Sequence, residues 1–477
     1  MKKIQEANLS VEIQPTQLSI FNEEKEYTEN LSLKDKFYKI LSGNLDFHSE
    51  FSGYASHNFH SFPAKFPPQL PRIFIEELTQ NGDRVLDPMN GSGTTVLEAI
   101  LHDRIGIGFD IDPLAILISK IKTTTFDEKE LRKQLYYLIE RVRESLKTEK
   151  KQILAELQDY ERETKDFIDY WFLPETQIEL QALIREINKI PDLEHKQFFK
   201  VAFSGIIIKK SGSVSMALDL AHTRPHLAKI VKNEQGEVIF GKNLKDNPTG
   251  FSVKTQRSPI EEFEKKSLSN IKSIFKSMGK KIPAFVSFGN AQQLPLQDNS
   301  VDLIVTSPPY ASNAIDYMRA HKFSLVWFGY PIGKLSEKRR TYIGSDYVTD
   351  YEFLDLPFLP RKIISELQKV NSKKSQALYR YYVEIQTAIR EMYRVLRPGK
   401  PAVIVVGNSI LSGVDAQVAE CLTEIGQNAG LELVRINIRQ LDRNKRMLPA
   451  GNKINLESQI QQRMHEEYVI GFLKPED

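Results

Sequence analysis

Short apolar runs ending in small or acidic residues alternate with segments of helical spacing at both ends of this chain, and a long charged stretch interrupts them. Arg84-Val85-Leu86 and Ile105-Gly106-Ile107-Gly108-Phe109 read as strands, and between them Thr94 to Leu101 carries apolar residues at helical spacing. From Phe126 to about Gln181 the pattern is charged and helical, with long runs free of Gly and Pro until Pro174, and more helix is expected from Phe199 to Lys210. Ala284 to Ala291 then reads as a third strand and Val301 to Thr306 as a fourth. A helix from Ser375 to Leu396 stops at Pro398-Gly399, and strands follow at Pro401 to Val406, Leu431 to Leu441 and Glu467 to Leu473. The pattern predicts an α/β protein of seven strands with helices between the first five. Its expected organisation is an N-terminal arm over 1–45, a first core segment over 46–124, and an inserted, mainly helical domain over 125–282. A second core segment spans 283–477, with an aromatic and basic excursion at 311–374.

Composition narrows the setting. With 477 residues, 41% hydrophobic and 27% charged, the chain is ordinary for a soluble protein with a substantial core. A net charge of +3 neither demands nor excludes nucleic acid, because phosphate binding depends on where basic residues cluster. The single cysteine, Cys421, excludes an internal disulfide and a thiolate zinc cluster and fits a reducing compartment, so the cytoplasm is the natural reading. No apolar run approaches bilayer-spanning length, and neither a membrane nor a metal is expected.

Two stretches carry chemistry. In Arg84-Val85-Leu86-Asp87-Pro88-Met89-Asn90-Gly91-Ser92-Gly93-Thr94-Thr95, a strand runs through an acidic residue into a Gly-Ser-Gly turn and a helix, and glycines there let backbone approach a ligand closely. The next strand ends at Asp110-Ile111-Asp112, where a carboxylate suits ribose hydroxyls. Asp112, before Pro113, reads more simply as a helix cap. The fourth strand ends at Thr306-Ser307-Pro308-Pro309-Tyr310, a stiff turn whose carbonyls and Ser307 hydroxyl can accept hydrogens of an amino group while Tyr310 offers a face to a planar base. Such acceptors would make an aromatic amine more nucleophilic. A cysteine nucleophile is neither nearby nor needed.

Together, Asp87-Pro88-x-x-Gly91-Ser92-Gly93-Thr94-Thr95 and Thr306-Ser307-Pro308-Pro309-Tyr310 resemble the S-adenosylmethionine-dependent DNA methyltransferases that modify N4 of cytosine or N6 of adenine. His57 to Phe66 resembles the element that, in many cytosine-N4 members, helps hold the methionine end of the cofactor. The resemblance implies a Rossmann-like methyltransferase fold, a mainly parallel sheet with its last strand reversed. It implies cofactor contacts at Lys65, Phe66, Asp87 (methionine amino group), Pro88, Gly91, Ser92, Gly93, Thr94, Asp110 (ribose), Ile111, Asn290 and Ala291, with Asn290 equally readable as a turn residue. It makes Ser307, Pro308, Pro309 and Tyr310 catalytic, on a base flipped out of double-stranded DNA. A serine at 307, where adenine-modifying members more often carry Asp or Asn, points to cytosine N4, with adenine N6 open. An RNA base-amine enzyme and an inactive DNA-binding homologue are the alternatives. A cognate restriction endonuclease is a candidate partner.

Small hydroxyl-bearing and basic residues near these motifs are weighed as DNA contacts against solvated surface. They are Ser213, Arg224 and His226 in the insert, and Arg319, Lys322, Lys338, Arg339 and Arg340 after the proline turn. His57, His60 and Lys65 form a poor metal cluster, lacking a carboxylate pair close in sequence.

Overall fold

Val85, Leu303, Val305, Val403, Val405 and Val469 pack on one face of a single sheet, while Leu86, Ile304, Ala402, Ile404, Val406, Ile470 and Phe472 pack on the other. Strands apolar on both sides are what a mainly parallel sheet, covered by helices on both faces, requires. The computed structural model describes residues 31–63, 65–209, 214–218, 220, 225–241, 253–274, 283–311, 316–345, 355–441 and 466–476. Its main strands are β1 (Arg84–Asp87), β2 (Ile105–Asp110), β3 (Ala284–Phe288), β4 (Leu303–Thr306), β5 (Pro401–Gly407), β6 (Glu432–Gln440) and β7 (Glu466–Leu473). They lie side by side in the order β6-β7-β5-β4-β1-β2-β3. Every pairing is parallel except those of β7, which runs antiparallel to both β5 and β6. This is the Rossmann-like methyltransferase arrangement expected, with the last strand reversed.

Helices follow in chain order: α1 (Leu33–Ser42), α2 (Gln69–Leu78), α3 (Thr94–Leu101) and α4 (Pro113–Thr123) lead into the long insert. The insert carries α5 (Glu128–Thr148), α6 (Lys150–Gln158), α7 (Arg162–Trp171), α8 (Pro174–Asn188), α9 (Leu193–Ile207) and α10 (Pro259–Lys272). Two small sheets that periodicity did not reveal separate α9 from α10; they are built from strands of two or three residues, too short to show a pattern. After β4 come α11 (Tyr317–Leu325) and α12 (Ile332–Arg339), then α13 (Phe358–Val370), α14 (Ser372–Val395) and α15 (Val418–Asn428).

Two features differ from the sequence expectation. Residues 31–45 are not a free arm: α1 buries Phe37 and Leu41 completely against the sheet, where Gly471 of β7 leaves room for both side chains. A polar average hid that pair, four residues apart on one helical face. The insert also shares its core with its surroundings. Leu114 and Ile118 of α4, Leu131 and Leu138 of α5, Phe198 and Phe203 of α9, and Met318 and Phe323 of α11 belong to one apolar cluster. Among the described residues, no helix is long and apolar enough to cross a membrane.

Phe37→Ala should lower stability by about 3–5 kcal/mol, the usual loss for truncating a buried aromatic ring; chemical denaturation followed by circular dichroism reads it, and a change near zero would detach α1 from the sheet.

Candidate active site

At the carboxyl end of β1 the chain needs a turn that only glycine can make. Gly91 and Gly93 have φ of +49° and +76°, and a Cβ at Gly93 would stand 2.1 Å from Ser119 Oγ on α4. Gly93 caps α3, whose buried first residues Thr94 and Thr95 begin a helix end rich in unpaired N–H groups. Two contacts hold the turn: Gly91 N donates to Asp110 Oδ2 at the end of β2 (2.7 Å), and Lys122 Nζ donates to Ser92 O (2.7 Å). Lys122 is a fully buried lysine on α4 that motif reading missed, because nothing local sets it apart from its helix. The ring of Phe62 covers Gly91; a Cβ there would come within 3.3 Å of it.

The proline turn lies beside the glycine turn. β1 and β4 pair in parallel, Leu86 opposite Ile304, so Asp87 and Thr306 end adjacent strands, Thr306 one residue further along. Thr306 Oγ1 donates to Asp87 Oδ1 at 2.7 Å across 219 residues of sequence, and Thr95 Oγ1 donates to Val305 O at 3.1 Å. Beyond Thr306, Pro308 is buried while Ser307, Pro309 and Tyr310 are half-buried. The Ser307 hydroxyl takes no partner among the described residues. Tyr310 donates its hydroxyl to Glu467 Oε1 at 2.7 Å.

A third strand end completes the edge. Asp110 accepts from Gly91 N and from Asp112 N (2.8 Å). Asp112 does cap α4, accepting from Leu114 N and Ala115 N, and it does more: His321 Nδ1 (2.7 Å) and Tyr342 OH (2.8 Å) both donate to its Oδ2. Those two residues belong to the excursion after the proline turn, so Asp112 ties that excursion to the edge. Tyr317 of α11 stacks on Phe62, ring centroids 5.3 Å apart.

Other candidates sit differently. Lys65 Nζ donates to His57 O (2.9 Å), although the residue as a whole is exposed, and Phe66 packs among the α1 and α2 side chains. Pro88 is buried behind Asp87, and Ile111 lies half-buried between the two aspartates. Asn290 is exposed, its Oδ1 accepting from Gln292 N (3.0 Å) in a turn, and Ala291 is buried beside it. The fold brings Glu98 to His57 (Nε2 to Oε1, 2.6 Å) and Ser204 to His60, yet no group of three metal-binding side chains occurs among the described residues. Arg319 and Arg339 both pair with Asp316, the cap of α11, while Lys338 lies over the Phe288 ring and Arg340 is exposed. His226 is exposed in a short strand, and Ser213 and Arg224 lie outside the described residues.

Electrostatics sharpen this edge. Burial pushes the Asp87 carboxyl up to about 7, against the opposing pull of its Thr306 and Met89 hydrogen bonds. Burial, then the neighbouring charge of Asp112, raises Asp110 to about 6. Asp112 itself goes down, because His321 and Tyr342 outweigh its burial. Two desolvated carboxyls beside a glycine turn are poised to gain a cationic or hydroxylated ligand.

Sheet order and strand ends together define a Rossmann-like methyltransferase core in which the glycine turn, the acidic end of β2 and the proline turn share one edge. A family model described as DNA methylase matches residues 10–121. The type II methyltransferase M.MvaI of Kocuria varians is 26% identical over 453 residues, covering 88% of this chain and 92% of the relative. M.BsoBI of Geobacillus stearothermophilus is 22% identical over 462 residues, covering 86% of each. A solved S-adenosylmethionine-dependent methyltransferase from Methanosarcina mazei aligns at 10% identity over 85% of this chain and 98% of its own, with a TM-score of 0.29 that adds nothing to the sheet order. The family model and these relatives support an S-adenosylmethionine-dependent DNA amino-methyltransferase of the N4/N6 type. Its edge suits that cofactor: the buried Asp87 carboxyl offers a partner for an ammonium, Asp110 keeps lone pairs for ribose hydroxyls, and the Gly91–Gly93 backbone leaves room for close approach.

Two outcomes are expected. Because each carboxyl is protonated below its raised value, Asp87 and Asp110 favour the unliganded fold below about pH 4, and that contribution is lost as pH rises through about 6 and 7. A bound ammonium reverses the preference, so calorimetric affinity for S-adenosylmethionine should climb from pH 5.5 to 8 in steps of up to about tenfold per unit below the Asp87 value. Asp87→Asn should flatten that profile, and an unchanged slope would remove Asp87 from the contact. Gly93→Ala should weaken cofactor binding at least about tenfold, since both its φ and Ser119 oppose a side chain; wild-type affinity in a folded variant would count against the turn.

Proposed function

We propose that this enzyme methylates N4 of cytosine in double-stranded DNA, acting on a base extruded from the helix. The observation that carries this reading is the Thr306–Asp87 contact, which sets the proline turn one strand away from the glycine turn. When bound, the cofactor supplies an electrophilic methyl group on sulfur. Every other requirement falls to this chain's own residues. The Ser307 hydroxyl and the Pro308 carbonyl accept the two hydrogens of the target amine, drawing the nitrogen toward a tetrahedral geometry and releasing its lone pair from the ring. Tyr310 stacks on the flipped base and holds its plane. As the N–C bond forms the C–S bond would break, leaving the neutral thioether S-adenosylhomocysteine, and the methylated nitrogen would give up one proton to solvent along its hydrogen bond at Ser307. Catalysis is then positioning and polarisation, with no covalent intermediate on the protein.

A serine rather than a carboxylate or amide at 307 favours cytosine, by the family resemblance; adenine N6 is the second reading, since both amines need two acceptors. Arg319, Lys338, Arg339 and Arg340, on the segment leaving the catalytic turn, are proposed to face the phosphate backbone, and the helical insert to share in recognition. The type II designation of the relatives supports a restriction-modification setting with a cognate endonuclease as partner.

Expression in a host without DNA methylation, followed by mass spectrometry of its nucleosides, should yield N4-methylcytosine; N6-methyladenine instead would decide for the second reading. Ser307→Ala should slow methyl transfer about 10²-fold, the scale for losing one preorganised partner of a reacting group, with cofactor affinity unchanged by calorimetry. Tyr310→Ala should abolish transfer at the same affinity, and an active variant would end the stacking role.

A further inference from the structure

Tyr310 does not stand free at the end of its turn. Its hydroxyl reaches across to Glu467 on β7, and the other oxygen of that carboxylate accepts from Arg439 Nη1 on β6. Arg439 is almost fully buried and donates again through Nε to Leu45 O (3.0 Å), in the loop after α1. The chain of contacts thus runs from the catalytic turn through two strands to the N-terminal layer of the fold. Sheet topology explains why Glu467 is available. β7 is antiparallel to β5, with Glu467 opposite Gly407, so it delivers its first residues to the edge where the parallel strands deliver their last.

We propose that Glu467 is a positioning residue for methyl transfer, fixing the plane of the Tyr310 ring against which the target base stacks, with Arg439 holding the carboxylate in place. The proposal rests on the base-stacking reading of Tyr310. A phenol free to swing would have to be ordered each time a base arrives, whereas one tethered at its hydroxyl presents a preset face. Burial of the phenol and the charge of Glu467 keep the hydroxyl protonated far above its usual range, so the donor persists at any working pH. Arg439 neutralises the buried carboxylate and gives it a second hydrogen bond, as an ion in that place needs.

The test is a double-mutant cycle with Tyr310→Phe and Glu467→Gln, reading single-turnover transfer of a tritiated methyl group from S-adenosylmethionine to DNA from a host lacking methylation. Each single variant should slow transfer about tenfold or more, given the sensitivity of such steps to small misplacements, with cofactor affinity unchanged. The double variant should be no slower than the worse single one, because both remove the same contact. If Glu467→Gln slows transfer by the same factor with Phe at 310 as with Tyr, Glu467 acts only on the sheet and the proposal fails. It fails equally if Tyr310→Phe transfers at the wild-type rate; that variant leaves the Glu467–Arg439 pair untouched, so it is informative even if Glu467→Gln does not fold. Full activity of Tyr310→Ala would instead overturn the stacking reading itself, a separate result.

Discussion

Parallel pairing of β1 with β4 is the constraint on which this molecule depends. It sets Asp87 and Thr306 side by side, and the hydrogen bond between them joins the glycine turn, proposed for the cofactor, to the proline turn, proposed for the target amine. Direct methyl transfer needs donor and acceptor in line within a few ångströms. Neighbouring parallel strands meet that need because all their carboxyl ends open on one edge, and the two strands in question form the middle of the sheet, where both faces are covered and the backbone is least free to move.

Three carboxylates converge on that edge, and each is managed differently. Asp87 has a hydroxyl and a backbone N–H against its burial and stays easy to protonate; Asp110 has backbone N–H groups but also the repulsion of its neighbour; Asp112 has two side-chain donors and remains charged. The outcome is a strand edge at which two of the three carboxyls are held above the usual carboxylate range. Asp112 also makes the edge sensitive to the segment after Tyr310, since His321 and Tyr342 reach it from α11 and from beyond α12. Those helices share an apolar cluster with the insert, so the parts proposed for DNA and the parts proposed for the cofactor are one packed unit.

The sequence carried much of this in legible form. Alternating apolar strands, the glycine turn and the twin-proline turn are local signals, and strand ends read to within a residue or two except at β3, which stops at Phe288, three residues before the expected Ala291. Lys122, Glu467 and Arg439 left no such signal, because a single polar residue in a helix or strand looks like surface until the fold buries it. Asn290 shows the converse: its side chain is exposed and closes a local turn, a use that strand-end position did not separate from ligand contact.

What the chain determined by itself is its list of elements and the chemistry at their ends, since backbone preferences, helical or alternating spacing and turn residues act over a few positions. Only tertiary structure decided which ends meet. Strand order brought residues 87 and 306 together, the reversal of β7 brought residue 467 to residue 310, and packing of the long insert joined it to α4 and α11. These are contacts between distant segments, set by how one buried core closes, and no local pattern encodes them.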